Sequence, residues 1–173
     1  MKKIYTLLFC FLLASCKSTV QVHNPVDYKK IAEYNNVVIG VFKDGSNKKQ
    51  KSDSDDFDNI SGKFKRSLEQ KIMATKNFHS VIIGESDKKA LKITGTVTEY
   101  EKGNAVARMM IGFGAGRSSF KANIFLSDNI TNEQLGEIKV SNCAWPLGGV
   151  IAASQDLDNL VNSSTTSVVK KLK

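Results

Sequence analysis

The chain has 173 residues, a length typical of one domain with a sizeable core. A hydrophobic content of 41% and only two prolines exclude a disordered chain. The 25 lysines and arginines outnumber the 17 acidic residues and give a formal charge of +8. These positive residues are scattered and no aromatic residues are interleaved with them, so we expect no nucleic-acid partner and interpret most of the charge as a solvated surface.

The first sixteen residues, MKKIYTLLFCFLLASC, have the layout of a signal peptide. Lys2 and Lys3 give a positive start, and the apolar stretch after them has about ten residues, roughly half the ~20 that a helix needs to cross a bilayer. The ending Leu13-Ala14-Ser15-Cys16 resembles the lipobox of bacterial lipoproteins. That resemblance implies cleavage before Cys16 and acylation of this cysteine. An ordinary secretory peptide with an accidental cysteine is the alternative.

The resemblance also predicts the division of the chain and its location. Residues 1–15 are the signal peptide, 16–26 the lipidated cysteine with a polar tether, and 27–173 a single domain. Acyl chains hold a protein firmly on a membrane, because each buried methylene contributes roughly 0.8 kcal/mol. The residue after the cysteine is Lys17 and not aspartate. By the sorting rule of many Gram-negative lipoproteins, this favours the outer membrane, with the domain facing the periplasm.

The three cysteines have different predicted fates. Cys10 leaves with the signal peptide and Cys16 is acylated, so the sequence predicts that Cys143 has no disulfide partner within the mature domain. Cys143 precedes Trp145 in an apolar run, and we interpret it as a small buried hydrophobic residue. A reactive thiol is the alternative, and it is disfavoured because no histidine or basic cluster lies near Cys143 in the sequence.

The hydrophobic periodicity predicts an α+β domain with the element order β-α-β-β-β-β-α. A continuous apolar run at 36–42 is typical of a strand buried on both faces. A helix then begins near Ser52 and has an apolar face of Phe57, Ile60, Phe64, Leu68 and Ile72. Ser154 is the expected cap of the last helix, which reaches Leu172. Four more strands are predicted at 78–83, 91–98, 120–126 and 135–143. This order favours two amphipathic helices packed on one mainly antiparallel sheet of about five strands.

Aspartates crowd the start of the first helix, at positions 53, 55, 56 and 58. The helix dipole favours negative charge there, and this is our interpretation of the cluster. A calcium-binding EF-hand loop is the alternative, but Phe57 and Asp58 occupy positions where the loop needs a ligand and a glycine. We therefore expect no metal site.

The segment MMIGFGAG at 109–116 is rich in glycine and apolar residues. Arg117 stands where a dinucleotide fingerprint needs its last glycine, and no G-K-[ST] follows, so we expect no nucleotide and no other cofactor. In one interpretation the segment folds back against the apolar stretch at 145–153. In the other, the two segments form an exposed patch for a partner or for self-assembly. The candidate residues of this patch are Met109, Met110, Gly112, Phe113, Gly114, Gly116, Leu147, Gly148 and Gly149.

The run ITGTVTEYEKGN at 93–104, followed by Ala107-Arg108 and GFGAGR at 112–117, resembles the core signature of the lipoprotein family catalogued as domain of unknown function 4410. The resemblance covers residues 28–172 and implies a location and a fold rather than an activity. At the level of the fold, the layout is also similar to the periplasmic domains of curli-secretion lipoproteins. It is similar as well to the amino-terminal domain of the periplasmic translocation protein that binds the peptidoglycan-associated lipoprotein.

The sequence favours a non-enzymatic, lipid-anchored envelope protein that binds an envelope partner or other copies of itself. It has no G-x-S-x-G, H-E-x-x-H or C-x-x-C motif. An envelope hydrolase that uses Glu99 or His79 is the alternative, because Glu99 and Glu101 share a strand face, although exposed strand charge is the simpler interpretation. A third hypothesis is a lysine-rich binder of anionic lipid.

Overall fold

The computed structural model describes residues 19–46, 51–103, 117–144 and 156–172, and for 51–55 it describes the backbone only. In chain order the elements are β1 (Thr19–Asn24), α1 (Tyr28–Ile31), β2 (Asn36–Asp44), α2 (Lys51–Ala74), β3 (Ser80–Ile83), β4 (Leu91–Glu101), β5 (Ser119–Asp128), β6 (Gln134–Cys143) and α3 (Leu157–Lys170). The predicted α+β class is therefore confirmed, and the short helix α1 is an addition to it.

The six strands form one mixed sheet in the order β1-β6-β5-β4-β2-β3. The pairs β1–β6, β6–β5 and β5–β4 are antiparallel, while β4–β2 and β2–β3 are parallel. Helices α2 and α3 pack against each other and against the sheet, and the buried side chains between the two layers form one core. Two long helices on one mainly antiparallel sheet were predicted, and the sheet has six strands instead of about five.

The additional strand is β1, which occupies most of the predicted tether at 16–26. Val20 lies opposite Val140 and Val22 opposite Ile138, so the segment pairs with the middle of β6. The prediction of an unstructured tether is therefore wrong for Thr19–Asn24. An edge strand packs against a single neighbour, and two alternating valines in a polar run are a weak signal for it.

Strand β2 is less buried than the sequence predicts. Val37, Val38 and Ile39 are buried, but Val41 is 65% exposed. A register shift between Ile39 and Phe42 in the pairing with β4 turns Phe42 into the core, where it lies opposite Gly95. The predicted burial on both faces is therefore correct only for the first half of the strand.

Strands β4 and β5 alternate as predicted. Leu91, Ile93, Gly95 and Val97 face the core from β4, and Phe120, Ala122, Ile124 and Leu126 face it from β5. A register shift after Val97 leaves Thr98 exposed and buries Tyr100. The sheet therefore keeps one face packed as far as the end of β4.

The predicted helix faces are also present. Four of the five predicted residues of α2 are buried, and the fifth, Phe57, is half-buried with its ring centroid 6.0 Å from that of Tyr100. Helix α3 begins after Asp156, whose side chain accepts a hydrogen bond of 2.8 Å from the backbone N–H of Asn159. The N-cap is therefore Asp156, whereas Ser154 was predicted and lies outside the described residues.

Cys143 is nearly buried, with 9% of its surface exposed, as expected for a small hydrophobic residue. It is disulfide-bonded in the full-length chain. The prediction of no disulfide partner concerns the mature domain and stays a prediction. That prediction assumes that Cys10 is lost when the signal peptide is cleaved and that acylation uses the thiol of Cys16. Both of these cysteines precede residue 19 and lie outside the described residues.

We expect Gly95→Ala to destabilise the domain by about 1–3 kcal/mol, the usual cost of overpacking a core. A Cβ atom at Gly95 would lie 2.6 Å from Cε1 of Phe42 and 2.7 Å from the backbone oxygen of Asn123. The control is Gly62→Ala in α2, where the nearest atom to a new Cβ is the flexible Arg66 guanidinium at 3.5 Å. Helix propensity predicts a stabilisation there of roughly 0.5–1 kcal/mol. Urea unfolding followed by circular dichroism measures both, and equal effects would contradict the prediction.

Candidate functional site

The residues that the sequence predicted for lipidation and docking lie outside the described residues. These are Cys16, Met109, Met110, Gly112, Phe113, Gly114, Gly116, Leu147, Gly148 and Gly149. Their roles stay predictions. The strands that lead into the two glycine-rich segments are described: β4 ends at Glu101, and β6 ends at Cys143.

Glu99, a residue of the hydrolase alternative, takes part in a cross-strand ion pair. Its Oε2 atom lies 2.6 Å from Nζ of Lys121, the residue opposite it on β5. Partial burial alone would raise the pKa of Glu99, but hydrogen bonds from Lys121 and Ser119, together with the charge of Lys121, outweigh the burial and lower this pKa. A general acid needs a raised pKa, so this environment is that of a structural ion pair.

His79, the other residue of that alternative, is exposed and lies directly before β3. Its backbone N–H donates a hydrogen bond of 2.7 Å to the backbone oxygen of Asn35. The strand predicted from residue 78 therefore begins only at Ser80. This backbone bond places His79 at the outer edge of the sheet.

Several lysines of the described residues pair with carboxylates. Besides the Glu99–Lys121 pair, Lys63 of α2 pairs with Asp158 of α3 at 2.7 Å, and Lys102, just after β4, pairs with Asp56 of α2 at 2.6 Å. Lys30 also pairs with Glu133, and Lys139 with Glu137. Such pairs offset positive charge locally, which disfavours a single basic face for anionic lipid.

A buried polar cluster that the sequence did not indicate joins the segment after α1 to the end of β5 and the turn that follows it. The hydroxyl of Tyr34 donates a hydrogen bond of 2.6 Å to Oδ2 of Asp128. The other carboxylate oxygen accepts hydrogen bonds of 2.7 Å from the backbone N–H groups of Ile130 and Thr131. Asp128-Asn129 is a residue pair typical of turns, but nothing in the local sequence indicates Tyr34 as the partner of Asp128.

These contacts set the protonation state of both side chains. The hydrogen bond from Tyr34, followed by those from Thr131 and Ile130, lowers the pKa of Asp128 to about 2. Burial, and then the hydrogen bond to Asp128, raises the pKa of Tyr34 far above its ordinary value. Nζ of Lys89 lies 5.3 Å from the centre of the Tyr34 ring. At neutral pH, Asp128 is therefore ionised and Tyr34 protonated, which suits a structural hydrogen bond. We call this hydrogen-bonded pair the clamp.

An open cavity of about 460 Å³ lies beside this clamp. Its lining carries charges of both signs, and Lys30 is paired there with Glu133. Within the described residues, no group of three or more His, Cys, Asp or Glu side chains is placed to hold a metal ion. The lining residues are Lys30, Glu33, Tyr34, Lys89, Asp128, Ile130, Thr131 and Glu133.

Exposed apolar side chains occur at the outer edge of β3, which is called the free edge because no other described strand pairs with it. Ile82 and Ile83 are each 39% exposed, and Val41 of the neighbouring strand is more exposed still. The opposite edge of the sheet, β1, presents Gln21, His23 and Asn24 and has a register shift after Val22. The two edges therefore differ in chemistry, and the β3 edge is the apolar one.

The fold and these surfaces define an α+β domain with two long helices on a six-stranded mixed sheet. The chain belongs to the family described as a domain of unknown function (DUF4410), which matches residues 17–148. No curated protein sequence matches the chain. Within the described residues, no helix combines the length and apolarity that a membrane crossing requires.

Two of the solved structures that are similar to this chain share its fold at low sequence identity. The PelC dodecamer from Paraburkholderia phytofirmans is 13% identical, with a TM-score of 0.58, over 90% of this chain and 97% of that chain. A single-substitution variant of PelC, also described as a dodecamer, has the same identity and coverage and a TM-score of 0.55. Protein XCC0632 from Xanthomonas campestris, of family DUF330, is 8% identical over 78% of this chain and 81% of that chain, with a TM-score of 0.46.

We expect Tyr34→Phe to weaken the domain at neutral pH and to lose this effect in acid. The folded-state pKa of Asp128 is below its ordinary value of 3.8, so its stabilising contribution is complete above about pH 5 and disappears as the pH falls towards 2. Removing the hydroxyl raises the pKa of Asp128. Urea midpoints of wild type and variant should therefore differ most near pH 7 and converge near pH 2. The exposed Tyr28 provides the control, because Tyr28→Phe should follow wild type at every pH.

Proposed function

We propose that this chain is a lipid-anchored protein of the bacterial cell envelope that binds a partner or other copies of itself and is not an enzyme. The observation that carries the proposal is the N-terminal sequence, in which two lysines and an apolar stretch precede Leu13-Ala14-Ser15-Cys16. Acylation of Cys16 would fix the domain to a membrane. Lys17 favours the outer membrane, with the domain on the periplasmic side.

Self-association is supported by the likeness to PelC, a protein described as a dodecamer. At 13% identity this likeness concerns the fold, so the oligomeric state of the chain is part of the proposal. The glycine-rich segments at 109–116 and 147–149 stay the proposed contact with a partner. The apolar β3 edge is a second surface that suits a contact with protein.

A role without catalysis is supported by the state of the acidic groups. The carboxylate of Glu99 is paired with Lys121, and that of Asp128 accepts three hydrogen bonds from Tyr34, Ile130 and Thr131. Both have lowered pKa values. Neither is suited to donate a proton near neutral pH, which an acid-assisted hydrolysis requires.

The lipid anchor is tested by replacing the cysteine that would carry it. We expect Cys16→Ala to abolish incorporation of a palmitate analogue and to move the protein from the membrane fraction to the soluble one. The control is Cys10→Ala, because Cys10 lies within the predicted signal peptide and would be removed on cleavage. Gel fluorescence after metabolic labelling, together with membrane fractionation, measures both outcomes.

Unchanged labelling in Cys16→Ala, or a wild-type protein that takes up no label, would overturn the anchor. The mass of the N-terminal peptide gives an independent answer. A peptide that begins at residue 16 with an added lipid mass supports the proposal, and one that retains residues 1–15 contradicts it.

A further inference from the structure

We infer that the free edge of β3 pairs antiparallel with the same edge of a second copy of this chain, about a two-fold axis at Ile82. The inference rests on the self-association in the proposed function and names one contact that would bring it about. Its basis is the chemistry of Ser80–Ile83, the direction of its backbone groups, and the charges at its two ends.

Apart from its short length of four residues, the β3 edge lacks the features that usually prevent edge pairing. Natural edge strands are protected by charged residues, proline or bulges, and the sequence SVII has none of these. Its pairing with β2 is regular from Ser80 to Ile83. By contrast, β1 has a register shift and polar residues at the other edge. Of the two edges, β3 is therefore the one suited to accept another strand.

The backbone of β3 has groups directed outwards. The carbonyl oxygens of Asn35 and Ile39 accept hydrogen bonds from backbone N–H groups at the two ends of β3, and the donor to Ile39 is Gly84. The odd-numbered residues of β2 therefore direct their backbone hydrogen-bonding groups towards β3. In a parallel pair, a residue that forms backbone hydrogen bonds to the neighbouring strand lies opposite a residue of that strand whose N–H and C=O groups point away from the pair. The register places odd-numbered residues opposite each other, so Val81 and Ile83 direct these groups away from the sheet. A second strand would satisfy them.

A two-fold axis at Ile82 determines which residues are opposite each other. Val81 faces Ile83 of the second copy, and the outward backbone groups of these two residues bond to each other on both sides of the axis. Ile82 faces Ile82 of the second copy as a non-hydrogen-bonded pair with a Cα–Cα distance of about 4.5 Å, so their exposed side chains pack together. At each end, the exposed His79 comes near the exposed Glu85 of the second copy, which favours this antiparallel arrangement.

Pairing of β3 with β1 of a neighbouring copy is less favoured. Five strand intervals separate these edges, and sheet twist of roughly 20–25° per interval leaves their directions about 100° or more apart. A two-fold contact at β3 involves only the β3 edges of the two copies, so it does not depend on the direction of β1. It also closes at two copies, so a larger assembly would need a second, different contact.

Disulfide trapping tests the pairing in the full-length protein in its native membranes. With Ile82→Cys, the two introduced thiols lie across the axis at a Cα separation that a disulfide accepts. We expect mild oxidation to give a reducible dimer on non-reducing gels. Ile130→Cys, at an exposed isoleucine on the β5–β6 turn, is the matched control and should give no more dimer than wild type.

A charge variant gives a second measurement. Ile82→Lys places like charges opposite each other, and we expect the dimer dissociation constant to rise at least about tenfold in native mass spectrometry, with Ile130→Lys equal to wild type. A monomeric wild type at micromolar concentration, or equal trapping at residues 82 and 130, would overturn the inference. Palmitate labelling of the Ile82→Cys protein separates the two proposals: trapping without acylation overturns the anchor alone, and acylation without trapping overturns the edge contact alone.

Discussion

The packing of Phe64 between two other phenylalanine rings holds helix α2 on the sheet. Its ring centroid lies 5.2 Å from that of Phe42 on β2 in an edge-on contact, and 5.2 Å from that of Phe120 on β5 in a stacked one. Phe42 in turn covers Gly95 of β4, where a side chain would collide with its ring. Three neighbouring strands are thus tied to one helix residue. The packing of α2 on this face of the sheet depends on this contact.

The sequence predicted the strands and helices that have one buried face and one solvent-exposed face. In β4 and β5 the inward residues are apolar at every second position, and in α2 they recur every four residues. These periods are present in the local sequence, so they predict a strand or a helix without knowledge of the element that packs against it. The apolar run of β2 carries no such alternation. Its length alone did not show that a register shift would bring Phe42 inside and leave Val41 in solvent.

The features that the sequence did not predict depend on residues far apart in the chain. Tyr34 and Asp128 are 94 positions apart, and neither has a neighbouring pattern that indicates the other. Strand β1 gains its place from β6, more than a hundred residues later, and its own sequence is mostly polar. Long-range pairings of this sort leave no local period.

With the proposed lipid on Cys16, strand β1 would also limit how far the domain stands from a bilayer. The sequence predicted a leash of eleven residues from 16 to 26, which would reach roughly 36 Å when extended. Because β1 begins at Thr19, only three residues, with a reach of at most about 10 Å, would separate a lipid on Cys16 from the sheet. The sheet would then have little standoff, with β1 held near the lipid headgroups. The edge at β3, five strand spacings or about 24 Å away across the sheet, would face sideways into the periplasm.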